Sequence, residues 1–290
     1  MNRVFVLGNA GVDLVLALPY LARPGETVVA SAGRRAPGGK GLNQAVAAAR
    51  AGGRVIFRAA VGENPEAAFV AAALSHEPLV ERQLLAKPYP TDQSIVMVAR
   101  DGENSIVSLG GCADALTADE AEAFAAAVGP ADWLLLQGNL SAVATLAAIQ
   151  VSRGRVMLNA APLRWSVGPL LPYCAVLVVN RVEAEAITGS TDPAEAARRL
   201  QAQGCAVALV TLGVEGCLWV DADGLSRMPV AKVRLVDTSG AGDTFCGVLV
   251  ARLAEGTALA PAVSAAQAAA ALSVSRHGAF DAIPAGDELL

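Results

Sequence analysis

The chain has 290 residues, 54% of them apolar, and a formal net charge of −5. That length suits one large domain, or one domain with a small appendage, around a substantial core. The acidic balance, with no basic cluster longer than Arg34-Arg35 or Arg198-Arg199, argues against nucleic acid or an anionic membrane as partner. Five cysteines, at 112, 174, 205, 217 and 246, show no CxxC spacing and read as reduced thiols of a cytoplasmic protein. His76 and His277 are too few for a histidine-rich metal site.

Val4–Gly8 reads as a first strand, and Asn9 and Asp13 interrupt the opening apolar run where a signal peptide would continue. Gly41–Arg50 reads as a helix with Leu42, Ala45, Val46 and Ala49 on one face and Gly52-Gly53 as its stop. A strand over Val55–Val61 and a helix over Ala67–Leu74 follow. Trp133–Gln137, Arg155–Asn159, Val176–Asn180 and Ala206–Thr211 are apolar runs with helical segments between them. Such strands, apolar on both faces and alternating with helices, predict an α/β domain with a parallel sheet covered on both sides. Ligands of these sheets bind outside the carboxyl ends of the strands, where Asn159, Asn180 and Thr211 stand. Residues 13–36 and 91–110 lack helical periodicity, alternate as strands do in Ser94–Val98, and contain the hairpin signal Asp101-Gly102. They read as a small β lid inserted in a single domain spanning 1–290. Gly256–Ser275 is uncharged but mostly alanine, with Pro261 and Gln267 inside it, and reads as a packed helix rather than a membrane span.

The most telling segment is Asp237-Thr238-Ser239-Gly240-Ala241-Gly242-Asp243-Thr244-Phe245, which runs straight into an apolar helix. Glycines let consecutive N–H groups point one way, and a helix N-terminus binds anions. A carboxylate there would repel a phosphate. It makes sense if Asp243 takes the proton of a hydroxyl while N–H groups of Gly240, Ala241 and Gly242 stabilise charge on a transferring phosphoryl group. The plainer reading is a helix cap. Upstream lies Gly38-Gly39-Lys40-Gly41-Leu42-Asn43-Gln44-Ala45. It is no P-loop, because Gly41 follows Lys40 where Ser or Thr would be needed for magnesium. A polyol fits it better: Gly39 permits close approach, and Lys40 and Asn43 offer hydrogen bonds.

Together these two segments resemble those of the ribokinase-like, or PfkB, family of carbohydrate and nucleoside kinases, and the resemblance covers essentially the whole chain. It implies a three-layer α/β/α fold with a mostly parallel central sheet and a β-sheet lid that closes over the sugar. It implies phosphorylation of a primary hydroxyl by ATP with Mg²⁺, and the wording of Gly38–Ala45 favours ribose. The family assigns sugar binding to Asp13, Gly39, Lys40 and Asn43. Its ribose-specific members tend to carry a glutamate where Asn139 stands, so this chain departs from the pattern there. Asn180-Arg181-Val182-Glu183 matches the family's NxxE motif, with Glu183 holding Mg²⁺ through water. The same four residues also fit a capping box in all but the first residue type. Asn180, Thr211, Gly213 and Gly216 align with nucleotide-binding positions, and Gln267 with one flanking the adenine. Asp237 and Ser239, with carbonyls near Ser273, Gly278 and Ala282, match a monovalent-cation site for K⁺. The resemblance also implies a homodimer through the lid. Three alternatives stand beside a sugar kinase for ribose. One is a kinase for a nucleoside or for fructose, which Asn139 keeps open. The second is a non-catalytic sugar sensor, which would have no need of Asp243 as a base. The third is a dinucleotide enzyme, which the late position and misplaced third glycine of Gly240-Ala241-Gly242 count against.

Overall fold

The computed structural model describes residues 2–101 and 103–289. In chain order the elements are β1 (Arg3–Leu7), β2 (Gly11–Leu18), β3 (Ala32–Gly38), α1 (Lys40–Arg50), β4 (Arg54–Gly62), α2 (Pro65–Ser75), β5 (Glu81–Lys87), β6 (Asp92–Ala99), β7 (Asn104–Leu109), α3 (Ala118–Ala125), β8 (Trp133–Gln137), α4 (Ala142–Val151), β9 (Arg155–Asn159), β10 (Cys174–Asn180), α5 (Arg181–Thr188), α6 (Pro193–Ala202), β11 (Ala208–Thr211), β12 (Cys217–Asp221), β13 (Gly224–Met228), α7 (Ala241–Glu255) and α8 (Leu259–Ser273). Nine strands form one sheet in the order β13-β12-β11-β10-β9-β8-β1-β4-β5. Pairing from β11 through to β5 is parallel, and β12 and β13 add an antiparallel edge.

The alternation of side chains along a strand splits the core in two. Along β1, Val4 and Val6 pack on one side with residues of α1, α7 and α8, while Phe5 and Leu7 pack on the other with residues of α3 and α4. This is the predicted sheet, apolar on both faces because helices cover both. From β1 the chain order runs to β4 on one side and to β8 on the other. Clefts open at such a reversal, beyond the carboxyl ends of the strands.

A second sheet of four strands, in the order β3-β2-β6-β7, carries the two segments predicted as a lid. Its strands start at Gly11, two residues before the expected segment, and at Asp92, one residue inside the other, and β3 runs on to Gly38. The expected Asp101-Gly102 turn falls partly on Gly102, outside the described residues; β6 and β7 pair antiparallel up to Val98 opposite Asn104.

Two elements were not legible in the sequence. β5 (ERQLLAK) is a polar edge strand with little alternation. The β12–β13 hairpin was betrayed only by Asp223-Gly224 at its turn, a strong hairpin dipeptide.

Where α7 crosses α1, Gly247 lies so close that an added Cβ would sit 2.6 Å from Ala47 Cβ and 2.8 Å from the Ala48 nitrogen. Gly247 is one turn beyond Asp243, so this contact sets the distance between the two motif helices. Gly247→Ala should therefore lower stability by about 1–3 kcal/mol through overpacking, measured by denaturant melts.

Candidate active site

Glycine chemistry builds the two walls of the site. Gly39 is the N-cap of α1, with φ 101, and Gly240 is the N-cap of α7, with φ 73. Both conformations disfavour any residue with a Cβ. At Gly41 an added Cβ would stand 2.7 Å from the Asn9 nitrogen and from Gly8 Cα. The start of α1 is thus pressed onto the loop leaving β1. Asn9 holds it there: its carbonyl accepts from Leu42 N–H at 3.0 Å and its Oδ1 accepts from Gly41 N–H at 3.2 Å.

Asp243 is the third residue of α7 and is 5% exposed. Its neighbours in the first turn have no carbonyl within the helix to bond to. Ala241 N–H reaches the Thr238 carbonyl at 3.4 Å, a weak contact that leaves Gly242 as the more open donor than the motif suggested. An added Cβ on Gly242 would meet nothing within 4 Å, so this turn faces open space.

That space is two adjoining cavities. The first, of about 430 Å³, is lined by Thr211, Gly213, Gly216, Val233, Phe245, Gln267 and other mostly apolar residues. The second, of about 450 Å³, is lined by Lys40, Asn159, Asn180, Glu183, Gly242 and Asp243 among others. Thr211, Gly213, Thr238 and Gly242 border both. An apolar chamber joined to a polar one, with a helix N-terminus between them, has the shape of a nucleotide and its phosphates.

Around Asp243 the donors converge from α1. Gln44 Nε2 donates to Asp243 Oδ1 at 2.9 Å, Asn43 Nδ2 stands 3.4 Å from Oδ2, and Lys40 Nζ is 3.8 Å from Oδ1. The Asp243 charge holds the Lys40 ammonium above its usual range, against the opposing effect of burial. Gln44 also donates to Asn159 Oδ1 at 3.1 Å and accepts from Gln137 Nε2 at 3.0 Å. The motif text singled out Asn43 and Lys40 but not Gln44, although Gln44 is the next residue along. Nothing in the spacing showed that β8 and β9 would bring Gln137 and Asn159 to it.

Asp13 stands on β2, opposite Ala36 and beside Ser94 in the lid sheet. Burial, followed by the Asp243 charge, pushes its carboxyl up to about 6, against a hydrogen bond from Ser94 and the charge of Arg34. The Asp243 charge is thus felt at Asp13, on the smaller sheet. Several buried polar atoms have no partner among the described residues: Asn43 Oδ1, Asn139 Oδ1 and Asn139 Nδ2 are such atoms. Orphaned groups of this kind suit a polar ligand rather than a closed core.

Asn180 and Glu183 form the full reciprocal cap. Asn180 Oδ1 accepts from Glu183 N–H at 2.8 Å, and Glu183 Oε2 accepts from Asn180 N–H at 2.8 Å. The capping reading is thus present in the structure, and Glu183 still borders the polar cavity. Asp237 ties two loops together, accepting from Ser239 N–H at 2.9 Å and Gly278 N–H at 2.8 Å. Burial pushes its carboxyl up, but these N–H bonds outweigh it and leave Asp237 below the usual range. Ser273 and Ala282 are buried, and neither is a hydrogen-bond partner of Asp237. Gln267 borders the apolar cavity with its amide occupied, donating to the Met228 carbonyl at 3.2 Å.

A buried carboxylate at an open helix start, between a nucleotide-shaped cleft and a lid, places the molecule among enzymes that move a phosphoryl group to an alcohol. Residues 1–286 match the pfkB family of carbohydrate kinases, and the chain belongs to that family. Ribokinase of Haemophilus influenzae is 34% identical over 98% of this chain and 96% of its own length. Among solved structures, ribokinase from Thermotoga maritima superposes with a TM-score of 0.90 at 29% identity, covering 100% of this chain and 98% of its own. The structure of Arabidopsis thaliana ribokinase complexed with ribose and ATP gives a TM-score of 0.84 at 25% identity, covering 100% and 98%. The predicted fold class is the one observed.

Proposed function

We propose that this chain transfers the γ-phosphoryl group of ATP to a primary hydroxyl of a sugar, with ribose the first choice. The observation that carries the reading is Asp243, buried at the third position of α7 and facing both the polar cavity and the donors of α1. Ribose is the acceptor named with the Arabidopsis structure, and relatives of high coverage bear the name ribokinase.

In this reading Asp13, Gly39, Lys40, Asn43 and Asn139 hold the sugar hydroxyls, Asn43 and Asn139 through side-chain atoms without a partner among the described residues. Asp243 accepts the proton of the reacting hydroxyl, and the hydroxyl oxygen attacks the γ-phosphorus as the bond to the ADP oxygen breaks on the opposite side. Lys40 and the N–H groups that begin α7, Gly242 foremost, face the charge that develops on the transferring group. Thr211, Gly213, Gly216 and Gln267 line the nucleotide base and ribose, and Asn180 borders its phosphates. Mg²⁺, bound with ATP, neutralises phosphate charge; Glu183 fits as its holder through water, because one carboxylate oxygen is spent on the cap and the other is left for a hydrated cation. Asp237, Ser239, Ser273, Gly278 and Ala282 offer only oxygen donors, which suits K⁺. The lid closes over the sugar and excludes water as a competing acceptor.

Leu14, Ile106, Val107 and Leu109 are exposed on the lid strands, which supports pairing of two lids in a homodimer. Five buried free cysteines fit a reducing, cytoplasmic setting. Among the described residues no helix is long and apolar enough to cross a membrane.

The test is ATP turnover against ribose, deoxyribose, fructose, adenosine and pseudouridine, with Mg²⁺ and with or without K⁺. Ribose-dependent turnover supports the full reading. Turnover with a nucleoside or fructose instead keeps the chemistry and replaces ribose. Sugar binding with no turnover on any acceptor would count for a sensor and against the enzyme.

A further inference from the structure

We propose that Gln44 is a positioning residue for phosphoryl transfer, fixing through Asp243 which carboxylate oxygen meets the substrate. The inference rests on the reading of Asp243 as the base.

Asp243 Oδ1 is the engaged oxygen: Gln44 Nε2 donates to it at 2.9 Å, and Lys40 Nζ stands 3.8 Å from it. Oδ2 has only the long 3.4 Å approach of Asn43 Nδ2. The lone pairs free to take a proton are therefore those of Oδ2. What keeps the carboxylate in this orientation is the amide of Gln44, which is fully buried.

That amide has one tenable orientation. Its Nε2 serves two acceptors, Asp243 Oδ1 and Asn159 Oδ1, and its Oε1 takes Gln137 Nε2 at 3.0 Å. Turned over, it would present its carbonyl to a carboxylate and to a second carbonyl, and its NH₂ to the NH₂ of Gln137. Every contact would become repulsive, and the Gln44 side chain is fully buried. Asn159 is in turn oriented by donating to the Val178 carbonyl at 3.3 Å. Gly8 leaves the space for Gln137, since an added Cβ would lie 3.2 Å from Gln137 Cδ. Three strand ends thus set one glutamine, and the glutamine sets the base. The arrangement is more than a satisfied core amide, because its terminal contact is the reacting group.

The experiment compares Gln44→Met, Gln137→Met and the double variant, with Asp243→Asn as control, on the best acceptor of the turnover panel. Methionine keeps the length and removes the amide. Misplacing a catalytic group by about 1 Å costs up to roughly 10²-fold, so Gln44→Met should lower kcat by about 10- to 100-fold. Its KM for sugar and for ATP should stay within about 2-fold, because no ground-state contact is lost. Gln137→Met should lower kcat less, and the double variant should be no worse than Gln44→Met alone, as for links of one chain. A Gln44→Met enzyme with wild-type kcat, or a double variant whose losses add, would overturn the proposal. If Gln44→Met does not fold, unchanged kcat in Gln137→Met overturns it instead. Wild-type turnover in Asp243→Asn would sink the reading of the base itself; an inactive Asp243→Asn beside an unaffected Gln44→Met would sink only the role of Gln44.

Discussion

Asp243→Asn should lower kcat by about 10²–10⁴-fold, the usual cost of removing a general base, while the fold and nucleotide binding persist. The substitution is nearly isosteric. It changes an acceptor-only group into one that also donates, in a pocket where Gln44, Asn43 and Lys40 all present donors. The asparagine oxygen can still take the Gln44 bond, so the helix start is not broken. Steady-state kinetics with an independent measurement of ATP affinity separates the two effects: a fall in kcat with little change in ATP affinity is expected. Near-wild-type turnover would remove Asp243 from the chemistry and leave it as a buried acceptor for Gln44.

The second large effect concerns Asp13, whose carboxyl is pushed up to about 6 by burial and by the Asp243 charge. In the proposed function the sugar hydroxyls donate to the ionised form. As the pH falls through about 6, protonation should raise the sugar KM, and above that range the KM should level off. Asp13→Asn should raise KM by roughly 10- to 100-fold, from bonds to a charged group that are each worth about 1.5–3 kcal/mol, and should abolish the pH dependence. The stability sign is opposite. A carboxyl whose folded pKa lies above its unfolded value favours the protonated folded state, so the charged form costs stability, most fully above pH 6. Asp13→Asn should then melt higher than wild type at pH 8, with the advantage fading as the pH falls through the acid range. Calorimetry at the two pH extremes tests this. A lower melting temperature at pH 8 would mean that the carboxylate is held by contacts stronger than its burial.

Local chemistry explains why so much of this molecule was legible. Strands covered on both faces must be apolar at every position, so Trp133–Gln137 and Arg155–Asn159 were bounded to the residue. The strand character of Ser94–Val98 was legible from its β-branched and apolar residues, and the run lies within β6. The glycines of both motifs are dictated by backbone φ at Gly39 and Gly240, which is a property of the chain at those points. The edge strand β5 escaped because an edge needs no apolar pattern.

By itself the sequence determined the α/β class, the positions of the two glycine turns and the identity of the carboxylate at the start of α7. These depend on periodicity, φ and neighbours within a few residues. Only the tertiary structure decided that Gln44, Gln137 and Asn159 meet, that Gln44 rather than Asn43 makes the short bond to Asp243, and that the charge of that carboxylate reaches Asp13. Those contacts join residues about a hundred or more positions apart, through a strand order that reverses at β1. The orientation of a buried amide follows from all its partners at once, and no spacing along one chain segment contains them.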